Sequence, residues 1–264
     1  MILAAALFVP VQCAFAEVYA YDLADEEGLY IWDLTGSYSE PFLKTGDLNF
    51  DLTQDDKGKL TGNGSADFDE GGFHFETDFT ITGTITQKYI CHIGNIATLK
   101  MSLKFKGTAD DGHNTYQFTA TETLKGEVDV DSGTFTCTVK GKATIKGFGS
   151  QPIVPATTEV TIPSGMDGSS ILIINSASDP KKPTTLLGTG FLMLSNGKTI
   201  HFSMKGKYNP KDATDLCAFN LTSSDVKGSK LAITIWHNTG SIKAVKGKIL
   251  GQNLKSGVPR SACW

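Results

Sequence analysis

Residues able to do chemistry are thinly spread in this chain. Its five histidines, His74, His92, His113, His201 and His237, show neither H-x-H nor H-E-x-x-H spacing, so no two imidazoles are set side by side for a metal. Acidic residues gather at Asp51, Asp55 and Asp56, at Asp67, Asp69 and Glu70, and at Asp129 and Asp131. A calcium loop needs glycine at its sixth position and glutamate at its twelfth. The run from Asp129 brings Gly133 one place early and Lys140 at the twelfth, so these acids read as solvated hairpin corners. No G-x-S-x-G elbow occurs, and Ser164-Gly165-Met166-Asp167-Gly168 reads as a turn. There is no phosphate loop. The sequence therefore nominates no catalytic residue, no metal ligand and no cofactor. It leans towards a non-enzymatic protein, with a glycan-active enzyme using two carboxylates as a distant alternative.

The remaining chemical hint is aromatic. Trp236-His237-Asn238 stands at a strand end beside a turn, and an exposed indole next to amide and imidazole groups can stack on a pyranose ring. These three residues are the candidate ligand-binding site, with stacking worth about 1 kcal/mol. The partner expected is a ligand, a glycan or a cell-surface protein, and a structural role at the cell surface is the other form of this reading. Nucleic acid is not expected, because the formal net charge is −4 and Arg260 is the sole arginine among 24 basic residues. Lysine is a point charge without arginine's bidentate fork. The net charge of −4 and the alternation of lysines with acidic turns suit neutral glycans or a protein surface better than polyanions.

The elements that must position these groups are strands. Phe73, Phe75, Phe79, Ile81 and Ile85 alternate with Thr80, Thr82 and Thr84; Leu99, Met101, Leu103 and Phe105 alternate with Lys100, Lys104 and Lys106. Period-two alternation means half-buried strands with a solvated outer face. Thirty threonines beside 28 glycines favour the same structure. Turn signals recur at Asp55-Asp56-Lys57-Gly58, Asp110-Asp111-Gly112, Ser195-Asn196-Gly197 and Asn238-Thr239-Gly240. The fold class predicted is all-β and antiparallel, an up-and-down barrel or sandwich with little or no helix after the leader. An outer-membrane barrel has the same alternation and is the alternative reading.

Residues 1–16 end in Ala14-Phe15-Ala16, a small-x-small cleavage pattern, and predict a signal peptide and a secreted, periplasmic or cell-surface protein. No later run reaches the length of a transmembrane helix. Four cysteines then remain, and Cys91–Cys137 and Cys217–Cys263 are equally spaced, so up to two disulfides are expected. Residues 17–152 and 153–264 are expected as two β halves, standing either as separate units or as one continuous barrel. Lys106-Gly107 answers to Lys205-Gly206, Lys125-Gly126 to Lys227-Gly228 and Val139-Lys140-Gly141-Lys142 to Val245-Lys246-Gly247-Lys248, suggesting duplication; a shorter match at a shift of 43 joins Phe73–Ile85 to Tyr116–Val128.

Overall fold

A computed structural model describes residues 16–42, 46–90, 94–128, 134–161, 170–208 and 215–256. Strand accounts for 77% of the structure, arranged in two antiparallel sheets of which one curls into a half-barrel, so the all-β expectation holds. Among the described residues the one helical piece is α1 (Leu23–Glu27), little more than one turn.

The first sheet is an eight-stranded meander in chain order: β2 (Gly36–Phe42), β3 (Gly46–Gln54), β4 (Lys59–Glu70), β5 (Phe73–Ile90), β6 (Gly94–Asp110), β7 (Thr115–Val128), β8 (Thr134–Ile145) and β9 (Gly149–Thr161). The second runs through β10 (Ser170–Asp179), β11 (Lys182–Leu194), β12 (Thr199–Tyr208), β13 (Leu216–Ser223), β14 (Lys230–Trp236), β15 (Ile242–Ile249) and β16 (Gln252–Lys255). Its first place is taken by β1 (Ala16–Asp22), which crosses back to pair with β10. Residues 152 and 153 both lie inside β9, the edge strand of the first sheet; an edge tolerates Pro152 and Pro155 because one row of its N–H groups faces no partner.

Each sheet buries one face. The first core holds Phe50, Phe79, Leu103, Phe105 and Phe135; the second holds Leu172, Ile200, Phe219, Ile233 and Val245. Inner rows mix large and small residues. Tyr38, Phe50, Gly64, Phe79, Phe105, Ala120 and Ala143 lie in register across seven strands. Alternating bulk lets a curved inner face close without overpacking.

The segment between α1 and β2 joins the two cores. Leu29 and Ile31 enter the second, while Trp32 and Leu34 enter the first. Its backbone is held by two buried glutamines, one from each sheet. The Trp32 N–H donates to Gln252 Oε1 at 3.0 Å, and Gln252 Nε2 donates back to the Trp32 carbonyl at 2.6 Å. Gln54 Nε2 donates to the same carbonyl at 2.9 Å, and Gln54 Oε1 accepts from the Leu34 N–H at 3.0 Å. Nearby the turns at Lys57-Gly58 and Leu250-Gly251 meet so closely that a Cβ at Gly251 would lie 1.9 Å from the Lys57 carbonyl oxygen; with φ at +78° that position requires glycine.

Between Trp32 and Leu34, Asp33 is buried and bonded to Lys198 Nζ at 2.8 Å and to the Thr35 hydroxyl at 2.7 Å. Burial alone would raise the Asp33 carboxyl, but Lys198 and Thr35 together outweigh it and hold the group below its usual range. We expect Asp33→Asn to lower unfolding stability by about 2 kcal/mol at neutral pH, a discounted value because Lys198 is partly solvated. The difference should shrink as acid protonates the parent carboxylate, since a depressed folded pKa stabilises only above it. Urea titrations at two pH values measure this, and an unchanged midpoint would show the pair to be dispensable.

Two sequence expectations meet the structure differently. The paired cysteines do not appear as disulfides: Cys137 and Cys217 are free, buried thiols in separate cores, while Cys91 and Cys263 lie outside the described residues. Both point to the inner face in place of an aliphatic side chain, which is why equal spacing in sequence carried no pairing information. The matched glycines agree in part. Gly107 and Gly206, and Gly141 and Gly247, sit within strands, but Gly126 lies in β7 and Gly228 in the turn before β14. Alternation imposes such agreement with or without common ancestry.

Candidate functional site

The outer face of the first sheet is built from the polar half of the alternation. Odd-numbered residues of β6 face inward and even-numbered ones outward; β7 reverses the parity and β8 restores it. Antiparallel register then sets the outward side chains in rows. Lys104 stands opposite Thr121 and Thr121 opposite Lys142; Ser102 leads to Thr123 and Lys140; Lys106 leads to Thr119 and Thr144. In a fourth row Lys100 directly faces Lys125, which faces Thr138.

Six lysines, Lys100, Lys104, Lys106, Lys125, Lys140 and Lys142, are thereby exposed on three adjacent strands. None has a carboxylate within ion-pairing distance among the described residues. Of the acids on this face, Asp47 and Asp51 stand on β3, Asp67 on β4, and Glu76 and Asp78 on β5; Asp110 ends β6, Asp111 follows it in the β6–β7 turn, and Glu127 stands at the far end of β7. Across the strands Asp78 on β5 directly faces Lys106, and Glu127 follows Lys125 on the same face of β7, so acids border the lysines while Lys104 and Lys142 share Thr121 and Lys140 faces Thr123. The expectation of neutral partners rests on the net charge of −4 and on the alternation of lysines with acidic turns along the chain; on this sheet the lysines cluster on β6, β7 and β8 with acids at their border.

The acidic side has one notable grouping. His74 donates through Nδ1 to Asp69 Oδ1 at 3.0 Å, and its Nε2 lies 3.7 Å from Asp67 and 3.8 Å from Glu76. The Asp69 hydrogen bond leads in raising the His74 pKa, aided by the surrounding carboxylates. Asp67, His74 and Glu76 bring three ligand atoms within 4.8 Å of one another, but all three are exposed and the imidazole is already engaged. Sequence spacing missed this group because it forms across the β4–β5 hairpin.

Trp236, His237 and Asn238 do not converge on one pocket. Lys243 Nζ sits 4.7 Å over the Trp236 ring. His237 turns to Tyr208, with ring centroids 4.7 Å apart, and its Nδ1 lies 3.7 Å from Glu17 Oε2. Asn238 is exposed in the turn. Around His237 the second core ends in a polar cluster, where the Tyr19 hydroxyl donates to Glu17 and Cys217 lies close enough to feel both Glu17 and Asp215. This cluster does not make a nucleophile of the thiol. Burial leads in pushing Cys217 up to about 11, and burial does the same to Cys137, so both stay protonated and unreactive at neutral pH.

No protein-family model matches this chain, and no curated protein or solved structure is significantly similar to it.

Proposed function

We propose that this is an exported, non-enzymatic β protein that binds a surface glycan through the outer face of its first sheet. The observation that carries the reading is the lysine and threonine field on β6, β7 and β8. Like charges directly opposite on neighbouring strands oppose folding, as Lys100 and Lys125 are, so fold stability gives no reason for the arrangement. A rigid sheet displaying regularly spaced hydroxyls and ammonium groups is suited to a repeating, hydroxyl-rich partner. The leader at residues 1–16 supports export, which places the protein where glycans are met. The inward direction of the apolar side chains supports this reading over an outer-membrane barrel, whose lipid-facing side would be apolar.

A glycan array probed with three forms of the mature protein tests the proposal. The parent and Trp236→Ala should bind the same glycans. A variant carrying Lys104→Ala, Lys125→Ala and Lys142→Ala should lose them by roughly tenfold or more, three weak contacts each removed. The opposite pattern, with binding lost in Trp236→Ala alone, would move the site to the end of the second sheet. Hydrolysis of an arrayed glycan by the parent would overturn the non-enzymatic reading.

A further inference from the structure

We infer that the partner of the first sheet is a linear anionic polysaccharide, one bearing sulfate or uronate groups along its length. This rests on the glycan reading above and fixes its chemical class. Four arguments lead to it. Six exposed lysines lie on three adjacent strands and, among the described residues, Lys106 alone of them directly faces an acid (Asp78), which leaves an excess of positive charge; an anion relieves the repulsion between Lys100 and Lys125. Between Lys100 and Lys106 the field extends about 20 Å along β6, and about 10 Å across the three strands, so it is long in one direction as a linear chain is. Threonines and Ser102 between the lysines offer hydroxyls to the sugar framework.

The third argument is what these rows omit. Between Lys100 and Lys106 and their partners on β7 and β8, no aromatic side chain faces outward, so a neutral pyranose or an unpaired base would find no ring to stack on. No apolar side chain stands there to enter a bilayer, and within these rows the described residues are all strand, with no helix to read a duplex groove. The fourth is the border. Asp78 and Glu76 on β5 and Asp110 and Asp111 at the β6–β7 turn repel a polyanion from two sides and confine it to β6, β7 and β8.

The experiment measures binding of the mature protein to dextran sulfate, polygalacturonate and neutral dextran at low and high salt, with duplex DNA and anionic phosphatidylserine vesicles alongside. Both anionic polysaccharides should bind, neutral dextran should not, and affinity should fall roughly tenfold or more as salt shortens the screening length. Lys104→Glu with Lys125→Glu and Lys142→Glu should abolish binding. Lys181→Glu with Lys182→Glu and Lys227→Glu, the same charge change on the second sheet, should leave it intact. A Lys→Gln version of the first triple, checked by circular dichroism, answers any folding defect and should also weaken binding. Binding of neutral dextran at high salt would sink the anionic assignment while leaving the glycan reading standing. Failure of all three polysaccharides would sink both. Tighter binding to DNA or to vesicles than to either polyanion would also overturn the inference.

Discussion

Trp32→Ala will lower the unfolding free energy by about 4 kcal/mol, the usual loss when a large aromatic leaves a packed core and the site cannot fully collapse. Trp32 is fully buried in the first core, and its peptide group is the one that Gln54 and Gln252 grip from both sheets. The substitution empties the volume of an indole next to that grip, so the damage reaches the contact between the sheets as well as the first core. Trp32→Phe should be far milder. The indole Nε1 is buried with no hydrogen-bond partner among the described residues, so phenylalanine removes a donor that gains nothing from its surroundings. Urea unfolding followed by circular dichroism and by hydrogen exchange separates the two outcomes. Alanine should also raise exchange at Leu34 and in β16, where the strap is tied. A loss below about 1 kcal/mol would mean that the strap is incidental and that each sheet stands alone.

The strap was the part of the fold least legible in sequence. Strands could be read because alternation is a local consequence of the pleat; Phe73–Ile85 and Leu99–Phe105 lie in β5 and β6 with their apolar residues inward, as their spacing requires. Two features depend on distant partners and left no local mark. One is β1, which pairs with residues some 150 positions later. The other is the alternation of Leu29, Ile31, Trp32 and Leu34, which resembles a strand but divides its side chains between two cores. The candidate site was half legible. Lys100, Lys104 and Lys106 could be placed on one face of one strand, yet whether acids or more lysines lay beside them depended on the order of neighbouring strands. Trp236 and His237 illustrate the converse. Adjacent residues at a strand end are sent to different surroundings, so nearness in sequence argued against a shared site rather than for one.

Glu122→Gln will stabilise the protein at alkaline pH and leave it nearly unchanged in acid. Glu122 lies on the inner face of β7, in register with Leu103 on β6 and Gly141 on β8, and between Ala120 and Leu124 along its own strand. A Cβ at Gly141 would come 3.1 Å from Glu122 Cγ and 2.8 Å from Ile153 Cδ1, so the side chain lies across the glycine against an apolar neighbour. Burial there pushes the carboxyl up from 4.5 to about 7. A raised folded pKa in an acid means that the folded protein holds its proton more tightly than the unfolded chain. The destabilisation is absent below the unfolded value, grows as pH rises between the two values, and is complete above about 7. For a half-buried group partly reached by solvent, it amounts to about 2 kcal/mol once the full shift is discounted. Glutamine keeps the shape and carries no charge, so the variant should exceed the parent by that amount at pH 8.5 and match it at pH 4, about half a unit below the unfolded value. The difference between the two proteins isolates Glu122 from every other group that titrates over the same range. An advantage that stays constant with pH would mean that the carboxylate is solvated, and that the inner face between β7 and β9 is open to water at that point.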